Sequence, residues 1–140
     1  MLNGFLDDAI DVSGDSNRIA GNWIGTDTTG NAAAALRNAD GGIRIRTGAD
    51  GNTIGGTTPA DRNVISGNGS SNTEPGISIG TGSTNVVVKG NLIGTDRTGT
   101  SAMANAGPGI SIVEGDGITI GGSAAGERNI IAANGSDGIR

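Results

Sequence analysis

Gly21-Asn22-Trp23-Ile24-Gly25-Thr26-Asp27-Thr28-Thr29-Gly30 returns further along the chain as Gly90-Asn91-Leu92-Ile93-Gly94-Thr95-Asp96-Arg97-Thr98-Gly99, identical at eight of ten positions. A second stretch, at 51–70, returns at 117–136 with eleven identities in twenty. Two independent matches at nearly the same offset define a repeated unit of about 67 positions, and self-similarity of that kind is the mark of a stacked architecture. The chain begins and ends inside a copy, so the 140 residues read as a single domain and as a piece of a longer array.

A finer rhythm runs inside the unit. The pairs Ile10/Val12, Ile43/Ile45, Ile77/Ile79 and Ile110/Ile112 recur at even steps of one turn, and Ile139 follows after a slightly shorter one. Each pair brackets one residue of the opposite face, Asp11, Arg44, Ser78 or Ser111, which is the period of a half-buried strand. A second column reads Ile19, Ile54, Val88, Ile120. A third reads Ile24, Ile65, Ile93, Ile131, each two places after an asparagine: Asn22, Asn63, Asn91 and Asn129. Strands so short bury nothing alone, but wound so that each column stacks on itself they form parallel sheets around a continuous Ile/Val core. Three columns predict an all-β, three-sheet parallel solenoid of about four to five turns with long loop excursions. A count of six shorter turns, of about 22 positions each, through Ile19, Ile43, Ile65, Val88, Ile110 and Ile131, is also regular and stays open at this point.

Composition agrees with many short strands and excludes much chemistry. Twenty-eight glycines supply turns, and seventeen isoleucines against four leucines argue against a helical bundle. With no His, Cys or Tyr, the chain has no Ser-His-Asp triad, thiol nucleophile, disulfide or Cys/His zinc site. The net charge of −5 and the lack of a basic stripe argue against nucleic acid, and no apolar run is long enough to span a membrane.

The excursions fall at alternating places: after the third strand at 25–42 and 94–109, before it at 57–62 and 123–128. The run Ala32-Ala33-Ala34-Ala35-Leu36-Arg37 predicts one helical turn in the first of these. Asp27 and Asp96, in matching Gly-Thr-Asp loops, are candidate carboxylates or calcium ligands; the alternative is that each starts a turn by accepting its own backbone N–H groups. Asp61-Arg62 and Glu127-Arg128 repeat an acid–arginine pair, read either as a sugar-acid binding site or as a surface ion pair. Trp23, the sole tryptophan, points outward by alternation, to cover a loop or meet a neighbour.

The words Asn-x-Ile-x-Gly-Asn-x-Ile-Gly-Thr-Asp at 17–27, Val-x-Gly-Asn-x-Ile-Gly-Thr-Asp at 88–96, Asn-Thr-Ile-Gly-Gly at 52–56, Arg-Asn-Val-Ile-Ser-Gly-Asn at 62–68, and Gly-Ile-x-Ile at 42, 76 and 109 together resemble the right-handed parallel β-helix repeat proteins of the pectate-lyase-like superfamily. The likeness spans nearly the whole chain. It implies a right-handed coil and a secreted or cell-surface setting, and it is weak for activity, because that superfamily holds lyases, hydrolases, tailspikes, adhesins and surface proteins alike. It also implies an asparagine ladder with Asn22 and Asn91 as members, interrupted in the second and fourth turns where Gly56 and Gly122 are taken as the matching places. The amphipathic helix that commonly closes such coils has no counterpart before Ile10, so both ends are expected bare and end-to-end homo-oligomers are expected. The functional expectation is a non-catalytic structural or interaction module of a bacterial surface or secreted protein, with no cofactor beyond the calcium reading. The alternatives are a polysaccharide-active lyase or hydrolase using loop carboxylates, and a carbohydrate or ice binder.

Overall fold

Isoleucine and valine, stiff at χ1 and suited to a pleated surface, form every core strand of the chain. A computed structural model describes residues 1–140. The first turn carries β1 (Ile10–Val12), β2 (Arg18–Ile19) and β3 (Trp23–Ile24). The second carries β4 (Ile43–Ile45), β5 (Thr53–Gly55) and β6 (Val64–Ile65), and the third β7 (Ile77–Ile79), β8 (Val87–Lys89) and β9 (Leu92–Ile93). The fourth carries β10 (Ile110–Ile112), β11 (Thr119–Ile120) and β12 (Ile130–Ile131).

These twelve strands stack as three parallel four-stranded sheets, β1-β4-β7-β10, β2-β5-β8-β11 and β3-β6-β9-β12. The registers follow the apolar columns: Ile10 on Ile43 on Ile77 on Ile110, Ile19 on Ile54 on Val88 on Ile120, and Ile24 on Ile65 on Ile93 on Ile131. A turn therefore takes three strands, one from each sheet, and the six-turn count is wrong, because Ile19 and Ile43 lie in different sheets. Ile24, Ile43, Ile45, Ile54, Ile65, Ile77, Ile79, Val88 and Ile93 are wholly buried. Each such side chain contributes roughly 1.5–3 kcal/mol by leaving water, which offsets the entropy of ordering strands only two or three residues long.

Part of a further rung lies beyond each outer turn. Leu2 pairs in parallel with Ile24, and Ile139 with Ile110, so the third sheet extends at one end and the first at the other.

The expected helical turn at 32–37 does not form. Ala33 instead bridges Thr26 in antiparallel fashion, and the Ala34 N–H donates to the Gly25 carbonyl at 2.9 Å, with Ala34 buried. Alanine's helix preference is a few tenths of a kcal/mol per residue, and docking on the sheet outweighs it. The second copy repeats the arrangement, with Thr95 bridging Ala102 and Met103 N–H donating to Gly94 O at 2.8 Å.

These two folded-back loops explain a burial that the strand period alone does not. Trp23, Val64, Leu92 and Ile130 form the outward column of the third sheet, yet Val64 and Leu92 are only 2 % and 1 % exposed. The loops after β3 and β9 lie over them. A Cβ on Gly99 would sit 2.9 Å from Ile130 Cδ1 and 3.2 Å from Leu92 Cδ2, so the loop backbone itself is packed on the column.

Candidate functional site

In the first Gly-Thr-Asp loop, Asp27 Oδ1 accepts from Thr29 N–H at 3.0 Å, Asn31 N–H at 3.3 Å and Ala32 N–H at 3.4 Å, and Thr29 Oγ1 donates at 2.8 Å. In the second, Asp96 Oδ1 accepts from Thr100 N–H at 3.0 Å and Ser101 N–H at 3.2 Å, while Thr98 Oγ1 donates to Oδ2 at 2.8 Å. The threonine hydroxyl first, then the backbone amides, hold both carboxyls below the usual carboxylate range. A carboxylate so engaged closes its own loop by an Asx-type turn. The loops touch, Arg97 N–H donating to Gly30 O at 2.8 Å.

The acid–arginine pairs do not pair within themselves. Asp61 meets Arg18 from the turn before, at 2.5 Å, and Glu127 meets Lys89 at 3.2 Å. The reason is the single 3₁₀ turn at Pro59–Asp61 and at Ala125–Glu127, which swings each acid toward the second sheet and leaves the arginine facing the third. Asp61 also accepts from Thr58 Oγ1 at 2.8 Å, and Glu127 from Ala124 N–H at 3.1 Å. The Arg18 guanidinium with the Thr58 hydroxyl pulls the Asp61 carboxyl down, and the Ala124 amide with Lys89 does the same for Glu127. Arg62 donates Nε–H to Gly90 O at 3.2 Å, and neither Arg62 nor Arg128 forms an ion pair.

The asparagine ladder at the corner between the second and third sheets is continuous, which corrects the expected interruption. Its rungs are Asn22, Asn63, Asn91 and Asn129: Asn22 Nδ2 donates to Asn63 Oδ1 at 3.2 Å, Asn63 Nδ2 to Asn91 Oδ1 at 2.9 Å, and Asn91 Nδ2 to Asn129 Oδ1 at 3.2 Å. Gly56 and Gly122 lie at the ends of the second sheet instead, well before the asparagine, because the short excursions at 57–62 and 123–128 intervene. Asn63, Asn91 and Asn129 also cap the second sheet, donating to Ile19 O at 2.9 Å, Ile54 O at 2.9 Å and Val88 O at 2.8 Å.

Sequence reasoning missed a second ladder at the end of the third sheet. Asn38 Nδ2 donates to Asn68 Oδ1 at 2.7 Å, Asn68 to Asn105 at 2.8 Å and Asn105 to Asn134 at 2.9 Å. Its signal was present in the repeat, because Asn38 with Asn105, and Asn68 with Asn134, are separated by the same offset as the two copies.

One carboxylate group was also missed. Asp8, Asp40 and Glu74 converge with Arg44 on a shallow polar groove beside the first sheet. The Asp8 side chain is 7 % exposed and stands 3.8 Å from Arg44. Burial pushes Asp8 up despite Arg44, and burial with the neighbouring Asp7 pushes Asp40 up. Glu74 goes the other way: burial raises it, but the Ser71 and Ser70 amides outweigh burial, Ser71 N–H donating at 2.6 Å. No set of three acids is placed to hold a metal ion, and no helix is long and apolar enough to cross a membrane.

Comparison with protein-family models, with curated proteins and with solved structures gave no match.

Proposed function

We propose that this chain is a non-catalytic repeat module of the pectate-lyase-like β-helix superfamily, with a structural or interaction role in a secreted or surface protein of bacterial type. The observation that supports this reading is the employment of the loop carboxylates. Asp27, Asp96, Asp61 and Glu127 each spend their oxygens on N–H, hydroxyl or cationic groups of the scaffold, and all four are held ionised. General acid catalysis needs a carboxyl kept protonated near the working pH beside a second that is free, which these loops do not offer. A flat rank of threonines suited to ice is equally absent from the outward columns, where Arg18, Thr53, Val87 and Thr119 stand in one line.

The rungs at Leu2 and Ile139 belong to the same reading. They present strand edges with exposed apolar side chains nearby, Phe5 and Leu6 at one end and Val113 and Ile139 at the other, and a second copy stacking head to tail would cover both. The polysaccharide-enzyme alternative has one feature in its favour, the raised carboxyl of Asp8 beside Arg44. A panel of neutral and acidic polysaccharides separates the two. The module reading expects no depolymerisation, and turnover abolished by Asp8→Asn, Asp27→Asn or Asp96→Asn would overturn it. Light scattering at micromolar concentration is expected to show species larger than one chain; monomer alone would refute the stacking.

A further inference from the structure

Three asparagines of the chain precede a glycine, in Asn3-Gly4, Asn68-Gly69 and Asn134-Gly135, and the last two open the same tripeptide, Asn-Gly-Ser. Asparagine is chemically labile where the nitrogen of the next residue can reach its side-chain carbonyl carbon, and glycine, with no Cβ, crowds that nitrogen least. The fold treats the three pairs differently.

Asn68 is wholly buried in the outer ladder. Its Oδ1 accepts from Asn38 Nδ2 at 2.7 Å, its Nδ2 donates to Asn105 Oδ1 at 2.8 Å, and the Gly69 N–H donates to Asn38 O at 3.0 Å. Asn134, the end rung, accepts from Asn105 Nδ2 at 2.9 Å, and the Gly135 N–H donates to Asn105 O at 2.9 Å. In both pairs the side-chain amide and the nitrogen that would attack it are held by other partners. Asn3 is held by a single side-chain hydrogen bond, Nδ2–H to Thr26 O at 3.1 Å, and the N–H of exposed Gly4 donates to nothing. A Cβ on Gly4 would meet no atom nearer than Leu36 Cβ at 3.5 Å, so this peptide has room to turn.

We infer that the Asn3–Gly4 peptide is a self-modifying site whose only co-reactant is water. The Gly4 nitrogen gives its proton to solvent and bonds to Asn3 Cγ; the Cγ–Nδ2 bond breaks, and Nδ2 takes up a proton and leaves as ammonia, closing a cyclic imide. Water then opens the ring. Addition at Cγ restores the ordinary backbone with an aspartate at position 3. Addition at the main-chain carbonyl carbon breaks its bond to the Gly4 nitrogen, and the chain then runs through Cβ and Cγ as an isoaspartyl link, longer by one backbone atom.

The longer product disturbs a defined contact. Residue 3 lies between two anchors: Leu2, which donates to Trp23 O at 2.7 Å and accepts from Gly25 N–H at 2.9 Å, and Phe5, whose N–H donates to Asn38 Oδ1 at 3.2 Å. An extra backbone atom between them breaks this register, so the segment lifts and lays open the edge of β3. The chemistry needs no partner and is independent of the module reading.

The full chain, aged at mildly alkaline pH, digested and weighed peptide by peptide, reads all three sites at once, and hydrogen exchange on the intact aged chain reads the β3 edge. The Asn3 peptide is expected to gain about one dalton as the amide becomes an acid, at least about tenfold faster than the Asn68 and Asn134 peptides, which react only in locally opened molecules. In urea that unfolds the chain the three rates are expected to converge, tying the difference to the fold. The Gly25 N–H is expected to lose exchange protection in proportion to the isoaspartyl fraction, while an inner amide such as Ile77 N–H, bonded to Gly109 O at 3.0 Å, keeps its own. Asn3→Gln, whose longer side chain closes the ring poorly, is expected to abolish the mass gain and preserve the protection. No gain at Asn3, comparable rates at Asn68 or Asn134 in the folded chain, the same spread of rates in urea, or unchanged Gly25 exchange after ageing would overturn the inference.

Discussion

Replacing Asn63 by alanine tests whether the inner ladder holds the coil together. Asn63 is wholly buried, and its amide makes four hydrogen bonds: Oδ1 accepts from Asn22 N–H at 2.9 Å and Asn22 Nδ2 at 3.2 Å, and Nδ2 donates to Ile19 O and Asn91 Oδ1 at 2.9 Å each. At about 1 kcal/mol net per bond, and with buried partners left unmatched, Asn63→Ala is expected to cost about 3–4 kcal/mol. Asn22, at the half-exposed end of the same ladder, donates through Nδ2 only to Ala20 O at 3.0 Å and to Asn63. Its loss leaves Asn63 Oδ1 still served by the Asn22 backbone, so Asn22→Ala is expected to cost about 1 kcal/mol. Urea unfolding followed through Trp23 emission reads both. With a slope of roughly 1–3 kcal/mol per molar, the inner variant moves the midpoint down by about 1–4 M and the outer one by a fraction of that. Equal losses from the two, or an inner loss under about 1 kcal/mol, would refute the reasoning, because the rungs would then be exchanging water for amide at no net gain. Asn63→Asp adds a check: it preserves shape but buries a carboxylate beside the carbonyl of Ile19, so it is expected to be less stable at neutral pH than near about pH 4.

In the core, Ile65→Ala, at a wholly buried position between Ile24 and Ile93, is expected to cost about 2–5 kcal/mol by calorimetry or denaturant; a change below about 1 kcal/mol would mean the columns are loosely packed. Gly25 and Gly48 share a left-handed backbone, φ +82° and +77°, but a Cβ on Gly25 would land on Ser66 O whereas Gly48 has nothing within 4 Å. Gly48→Ala is therefore expected to cost about 1 kcal/mol and Gly25→Ala several times that, and equal melting shifts would contradict the close approach. On acidification, the carboxylates held below 3.8 or 4.5 in the fold, Asp11, Asp27, Asp50, Asp61, Asp96, Glu74 and Glu127, stay ionised while the unfolded chain takes up protons. Their contribution is present above those ordinary values and lost as pH falls through the folded ones. Asp8 and Asp40, raised, act in the opposite sense, gaining as their protons bind, but they are two against seven. A melting temperature that falls steadily between about pH 5 and pH 2 is expected, and a flat or rising profile would show that the loop hydrogen bonds do not favour the ionised form.

The apolar columns were legible in the chain because each core position depends only on alternation and on like stacking over like, whereas the choice between a three-strand turn and one of about 22 positions needed the pairing that puts Ile19 and Ile43 in different sheets. The ladder positions were half legible. All four asparagines stood at a constant two places before a core isoleucine, yet Gly56 and Gly122 suggested a break because they align with the ends of the second sheet rather than with the corner. The aspartate loops could be read as turns from Asp-x-Thr-Gly alone, since an Asx turn is a local interaction.

Contacts between distant residues were not written locally. Which cation meets Asp61 is settled by a 3₁₀ turn that aims it at Arg18, one turn back along the coil, rather than at the adjacent Arg62. The alanine run lies extended where Ala33 meets Gly67 of the next turn, whose added Cβ would stand 2.9 Å from Ala33 Cβ, a neighbour that exists only once the coil is wound. The meeting of Trp23 with Arg97 has the same origin, since two single-residue departures in separate copies of the repeat share a groove only once two turns are wound. Period and alternation sufficed for the columns themselves, which repeat one short-range rule; the surface depends on where the excursions fold back, and that is decided by packing across turns.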